Sequence, residues 1–210
     1  AMVAVSDERI VWLSPGRIGL AAARQLALTR ARFDVIAGVD ADDVSLPGRI
    51  DVLLAAWMAL DNPARAVISC AVEPFADDGV SPGMQRYCQW LNGIRTAEEH
   101  WCNRVVEQPL VHPAMLAPTR LLRDVGGYRD GPFPEDYDLN LRLLAAGVHF
   151  TKIDAVLYRW RDHPGRFTRA DFRSTRSNIA RLKCDHVLST WWRPRHDRAS
   201  ELDSWDCVDE

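Results

Sequence analysis

The sequence predicts an α/β fold with a mostly parallel sheet flanked by helices. Three observations predict it. Short apolar runs rich in β-branched residues, "FDVIAGVD" and "RAVISCAV", alternate with helix-periodic segments in the first half of the chain. The runs are apolar throughout, as strands buried on both faces are. The length, 210 residues with 47% hydrophobic and 26% charged, suffices for one sizeable core.

The elements follow in order. Ile10 to Leu13 reads as a short strand, broken by Pro15-Gly16. Ile18 to Arg30 is Ala- and Leu-rich and reads as a helix. "FDVIAGVD" reads as a central strand that ends in the acids Asp40, Asp42 and Asp43. Ser45 reads as the cap of the next helix, with Pro47 in its first turn and an apolar stripe of Ile50, Leu53, Leu54, Trp57 and Met58. "RAVISCAV" is the next strand, and "EPFADDGVSPG" is a loop. Tyr87, Trp90, Leu91, Ile94 and Trp101 mark one long helix whose aromatics belong to the core. Leu116 to Val125 holds a short helix closed by Gly126-Gly127. "PEDYDLNLRLLAAG" reads as a helix with acids at its start and Gly147 past its end. "VHFTKIDAVLYRW" is strand-like, Asp171 to Trp192 is helical, and a polar tail follows. The expected organisation is a core over 1–170 and a C-terminal helix and tail over 171–210.

Composition narrows the function classes. A net charge of -3 gives no electrostatic footprint for nucleic acid. No apolar run reaches membrane-spanning length, and the start shows no signal pattern, so a cytoplasmic protein is expected. The five cysteines form no CxxC pair and read as reduced thiols. Lys152 and Lys183 are the only lysines, so arginine carries nearly all the positive charge.

Two acidic constellations carry the chemistry. Asp40 and Asp42 alternate at a strand end, so both carboxylates can reach one small space. A divalent cation relieves their repulsion, and Mg2+ or Mn2+ typically takes one or two carboxylates plus substrate phosphates. Taken alone, "DADDV" fits three readings: an acidic turn, a metal site, or the DxDx[TV] nucleophile of haloacid-dehalogenase-type phosphotransferases. The second constellation is Glu135-Asp136 at a helix start. Charge matching to the helix accounts for acids there, but not for the Gly126-Gly127-Tyr128 turn before them or "YRWRDHPGRFTR" after them.

Taken together, the motifs resemble the family-2 inverting glycosyltransferases of GT-A fold. "GLAAARQLAL" resembles that family's G-x-a-x-A-R-N helix, and "GVDADDVSLPGRID" its DxD segment. "VHPAMLAPTRLLRDVGGYRD" resembles the H-P stretch leading to G-G-Y. "PEDYDLNLRLLAAG" resembles E-D-x-D-L-x-x-R, and "VLYRWRDHPGRFTR" the closing y-R-x-H-x-x-S-x-S strand. Gln25 stands where the family usually has Asn, and Thr168 where Ser is common. Nothing matches the family's opening strands, which supply nucleotide contacts. The resemblance therefore implies a GT-A-type, Rossmann-like core, N-terminally truncated before its third strand, with a C-terminal helical extension.

The resemblance also implies an activity and its residues. A sugar passes from a nucleotide-diphosphate sugar to an acceptor hydroxyl with inversion, assisted by Mn2+ or Mg2+. Asp136 is the implied base, and Glu135 positions the acceptor, with exchange of the two left open. Asp42, Asp40 and His163 are the implied metal ligands. Asp40, Arg24, Gly19 and Arg161 are implied for donor binding, and Gly127, Tyr128, Glu135 and His112 for the acceptor, be it a glycan, a lipid-linked or a small molecule. Peripheral membrane association is compatible with this. The alternatives are a non-catalytic binding module of the same fold and the phosphotransferase.

Overall fold

In the computed structural model, residues 7–166, 169 and 171–191 are described. Thr168 and the expected tail beyond 191 lie outside them. Five strands form one sheet: β1 (Val35–Ala37), β2 (Val44–Ser45), β3 (Ala66–Phe75), β4 (Leu116–Pro118) and β5 (His149–Arg161). Their spatial order is β1-β4-β3-β5-β2. The long central ladder, β3 with β5, is parallel. β4 runs antiparallel to β3 and to β1, and β2 antiparallel to β5. β1, β3 and β5 thus share one direction, while β2 and β4 oppose it. The α/β class holds, and the sheet is mixed at the level of neighbouring pairs.

β3 is the strand with two buried faces. Val67 joins one apolar cluster with Leu28, Met115, Leu122, Leu139 and Phe150. Ile68, Cys70 and Val72 point the other way, into a cluster with Leu53, Met84, Leu91, Leu116 and Tyr158. A period of two on a strand covered from both sides makes "RAVISCAV" apolar throughout. "FDVIAGVD" was expected to be central as well, but it supplies only β1, three residues at the sheet edge and half-buried. Val35 packs against one apolar cluster and Ile36 against the other, so the strand has contacts on both faces although it lies at the edge.

Seven helices are seen among the described residues: α1 (Leu20–Arg30), α2 (Arg49–Met58), α3 (Pro82–Gly93), α4 (Ala97–Asn103), α5 (Thr119–Asp124), α6 (Glu135–Ala145) and α7 (Arg176–Trp191). Ile10 to Leu13 forms no strand and lies exposed. Ser45 does not cap α2. It lies in β2, and Gly48 occupies the cap position with φ 76°. The long aromatic helix is two helices, because Thr96 and Glu99 form a capping box that starts α4 afresh. Lys152 is buried in the core, and its ammonium donates to the Leu91 carbonyl in the last turn of α3. Cys70, Cys88 and Cys184 are free, but Cys102 is disulfide-bonded, so the expectation of five reduced thiols does not hold.

Buried imidazoles set an acid limit to this fold. His100 donates from Nδ1 to the Thr96 carbonyl at 2.7 Å, packs edge-on to Phe150, and is pushed down from 6.5 to about 4 by burial. His186 on α7 accepts from Arg104 Nε at 3.2 Å, and burial and then that guanidinium lower it to about 4. Between these values and the ordinary 6.5 the unfolded chain binds more protons than the folded one, so stability falls as pH drops through the window. The urea midpoint is expected to decline from about pH 6.5 to about pH 4, and His100→Leu should flatten part of that decline. A midpoint constant over the window would overturn this account.

Candidate active site

The acids of "GVDADD" sit where the chain crosses the sheet. Residues 38–43 leave the carboxyl end of β1 at one edge and enter β2 at the other. They pass the carboxyl ends of β3 and β5, the usual place for ligands in such sheets. Arg49, at the start of α2 and 2% exposed, fixes this crossing. Its guanidinium donates to the Gly38 carbonyl at 2.5 Å, the Pro113 carbonyl at 2.9 Å and Ser45 Oγ at 2.9 Å, and lies over the Tyr158 ring. The segment is pressed so close that a Cβ on Gly38 would come within 3.0 Å of Pro113 Cα.

The three aspartates have different partners. Asp43 is structural: Tyr158 Oη donates to Oδ2 at 2.7 Å and the Arg161 N–H to Oδ1 at 2.8 Å. Asp42 Oδ2 lies 3.1 Å from His163 Nε2. Asp40 Oδ1 faces Arg24 Nη2 at 3.3 Å, and burial raises its carboxyl despite that guanidinium. Among the described residues no three-ligand cluster of His, Cys, Asp and Glu is assembled. The expected trio is therefore split into an Asp42–His163 contact and an Asp40–Arg24 pair.

Arg24 links the two constellations. Its Nη1 donates to Glu135 Oε1 at 2.8 Å while Nη2 reaches Asp40. Glu135 is 2% exposed, and burial and then Asp136 push its carboxyl up, against the pull of Arg24. Asp136 lines the same cleft, and its Oδ1 accepts the Tyr137 N–H at 2.8 Å. The later half of "PEDYDLNLR" is scaffold. Arg142 pairs with Asp138 at 2.7 Å and donates to the carbonyls of Val125 and Gly127 at 2.5 and 2.6 Å, clamping the Gly126-Gly127 turn against α6.

That turn places Tyr128 behind the cleft wall, against His112. Gly127 has φ 61°, and a Cβ there would sit 2.2 Å from Gln25 Oε1. The same Gln25 oxygen accepts the Tyr128 N–H at 2.8 Å. Gln25, one residue from Arg24 on α1, thus uses its extra methylene to reach the turn. Tyr128 Oη meets His112 Nε2 at 2.8 Å, and His112, 5% exposed, lines the cleft.

The cleft has a volume of about 600 Å³ and gathers Arg24, Asp40, Asp42, His112, Glu135, Asp136, Arg161 and His163. Gly19 is not among its lining residues. It borders a neighbouring hollow with Asp130 and Arg173. Gly127 and Tyr128 stand behind His112. Arg161 is committed elsewhere, to Asp77 at 2.8 Å and the Asp42 carbonyl at 2.9 Å. Trp160 is covered by Arg166 at 4.1 Å on its ring and packs near Tyr87, so it is packing rather than an open sugar platform. Sequence reading missed Arg49, Glu107 and Ile179, the last two lining the cleft. Only Arg49 had a signal, its place in "LPGRID".

Residues 6–116 match Glycosyl transferase family 2. The chain belongs to that family. The matched span holds Arg24, Asp40, Asp42 and His112, while the acids at the start of α6 lie beyond it. A UDP-Gal:alpha-D-GlcNAc-diphosphoundecaprenol beta-1,3-galactosyltransferase of Escherichia coli is 27% identical over 67% of this chain and 48% of its own length. The O-antigen biosynthesis glycosyltransferase WbnJ of the same organism is 22% identical over 69% and 54%. The chain therefore spans about half the length of these two relatives. An uncharacterized glycosyltransferase of Methanocaldococcus jannaschii, MJ1057, is 23% identical over 95% and 65%. Among solved structures, S. aureus TarS 1-349 in complex with UDP-GlcNAc superposes with a TM-score of 0.57 at 15% identity, over 81% of this chain and 47% of that one. This supports a GT-A-like fold for the family-2 chain. No helix among its described residues is long and apolar enough to cross a membrane.

Proposed function

We propose that the cleft transfers a sugar from a nucleotide-diphosphate sugar to an acceptor hydroxyl with inversion. The observation that carries this is the meeting of two acidic poles in one cleft, joined by Arg24. Inversion needs a leaving diphosphate on one side of the sugar and a base on the other. The crossing segment with Asp40 and Asp42 serves the first need, and the α6 start serves the second. Glu135 is buried and held by Arg24, whereas Asp136 lines the cleft with its Oδ2 free of hydrogen bonds among the described residues, which supports Asp136 as the base. Glu135 then shapes the acceptor side through Arg24, and His112, backed by Tyr128, forms its wall.

The donor set suits Mn2+ or Mg2+. A carboxylate oxygen of Asp42 and the His163 imidazole are adjacent, and diphosphate oxygens complete such a site. Asp42 and His163 would hold the ion, with Asp40 entering on release from Arg24. When bound, the ion supplies Lewis-acid stabilisation of the leaving diphosphate. Arg24, close to that pole, adds a guanidinium that can pair with phosphate.

The relatives suggest UDP-galactose and UDP-GlcNAc as first donors, and a lipid-diphosphate-linked sugar, reached by peripheral membrane association, as one acceptor class. A glycan or a small molecule is the other acceptor class. In this reading residues 1–170 form the catalytic core, and the C-terminal helix completes a cytoplasmic enzyme by lining the cleft with Ile179. The phosphotransferase alternative needs an unencumbered Asp40, which Arg24 does not leave, and the family is a different one.

The test is UDP release from each donor with Mn2+ or Mg2+, followed by proton NMR of the product's anomeric configuration. Turnover with inversion is expected. Donor binding without turnover would favour the non-catalytic binding module. Asp42→Asn should raise the half-saturating Mn2+ concentration by about 10- to 100-fold. An unchanged metal titration would remove Asp42 from the metal site.

A further inference from the structure

His112 holds an atom without a partner. Its Nε2 is engaged by Tyr128 Oη at 2.8 Å, and the two rings meet edge to face, 86° apart. Its Nδ1 is buried and, among the described residues, has no hydrogen-bond partner. A buried polar atom left unpaired is costly, and His112 lines the cleft, so a ligand atom there that reaches Nδ1 would relieve the cost. The ring is also well fixed. Its carbonyl and Pro113 press against Gly38, and Tyr128 is held by Gln25.

Proton accounting chooses the tautomer. Burial, and then the nearby Arg24 charge, push His112 down to about 3, so the ring is neutral. Burial pushes the Tyr128 phenol up to about 12, so its hydroxyl keeps its proton. Among the described residues that hydroxyl has one hydrogen-bond partner, His112 Nε2. If the phenol donates, its proton is placed and Nε2 accepts. The single imidazole proton must then sit on Nδ1. The reverse arrangement leaves the phenol proton without an acceptor.

We propose that His112 is a specificity-determining residue that donates from Nδ1 to one hydroxyl oxygen of the acceptor sugar, with Tyr128 holding the ring in that tautomer. The inference rests on the sugar-transfer reading of the cleft. It names a neutral oxygen rather than a phosphate because the imidazole carries no charge and Arg24 already provides the cationic contact. It places the recognised hydroxyl near Asp136, whose charge also acts on the ring. A site that must pair a polar atom rejects the analogue that lacks its partner.

Two measurements test it. The first needs no turnover. The ring 15N spectrum of the full chain should show His112 protonated at Nδ1, and Tyr128→Phe should shift it towards a mixture. An Nε2-protonated ring in the wild type would overturn the proposal even if sugar transfer is confirmed. The second uses GlcNAc glycosides and their monodeoxy analogues as acceptors, with UDP-galactose as donor. One deoxy position should lose about 10- to 100-fold in kcat/KM. His112→Asn, whose amide nitrogen falls near Nδ1, should keep that discrimination, and His112→Gln, whose amide falls near Nε2, should lose it. Equal discrimination in both variants would reduce His112 to packing. Binding of UDP alone, measured by calorimetry, should be the same in both. If His112→Gln weakens UDP itself by the same factor, the partner is a phosphate oxygen and the hydroxyl assignment falls. Absence of all turnover with a Nδ1-protonated ring would count against the transfer reading and not against the tautomer.

Discussion

Asp136→Asn should lower turnover by about 10²- to 10⁴-fold while leaving nucleotide-sugar binding close to that of the wild type. The substitution is nearly isosteric. It keeps an oxygen for the Tyr137 N–H that Asp136 accepts at the start of α6, so the helix should begin where it does now. What is lost is the ability to take the acceptor's proton. Acceptor KM should change little, because the change acts on the transition state more than on the bound ground state. The matched control is Glu135→Gln, which removes a carboxylate that is buried and already paired with Arg24. That control should alter stability and acceptor binding more than the chemical step. If Asp136→Asn keeps turnover within a few-fold of wild type, the base is elsewhere in the cleft. Glu107, which also lines it, is then the next carboxylate to change.

What the sequence made legible follows from where each signal is stored. The acids at a strand end and the acids at a helix start were visible because local pattern marks both, and both reach the cleft. The capping box of α4 was equally local, in "TAEE", but a run of aromatics at helical spacing hid it, and two helices were read as one. The place of Ser45 was a contest between two local rules. Its hydroxyl suits a cap, yet it serves Arg49 instead, and a left-handed Gly48 starts the helix. The centrality of "FDVIAGVD" could not be read, because edge and centre are decided by which strands arrive from later in the chain. Arg24, Arg49 and Arg142 carry most of the site's cohesion, and each joins segments far apart in sequence. Each stands in a stretch that the sequence marks, Arg24 in "GLAAARQLAL", Arg49 in "LPGRID" and Arg142 in "PEDYDLNLR", but the distant partners that each one holds are set by the fold and not by local spacing.

Arg24→Met should be the most destabilising change in the site and should be so in a pH-dependent way. The guanidinium is mostly buried, with its side chain 18% exposed, and it faces a Glu135 side chain only 3% exposed. Replacing it with an apolar chain of similar length preserves packing but leaves a buried carboxylate without its counter-charge. Breaking a buried pair from one side typically costs about 3–5 kcal/mol at neutral pH. The sign of the pH effect follows from Glu135. Burial and Asp136 already hold its carboxyl above the ordinary value in the folded state, and Arg24 is what pulls it back. Without Arg24 the folded chain binds that proton more tightly still than the unfolded chain does. The variant's deficit is therefore full above the raised folded value and shrinks as pH falls through it. Urea midpoints of wild type and variant should lie far apart at pH 8 and draw together towards pH 5; His100 and His186 cost stability in the same range, but both chains carry them, so the gap reports on Glu135. The double variant Arg24→Met with Glu135→Gln should recover much of the loss at pH 8, since an uncharged amide is cheaper to bury alone. A gap that stays constant with pH, or a double variant no better than the single one, would mean that Arg24 stabilises the fold through packing or Asp40 and that Glu135 is not its dominant partner.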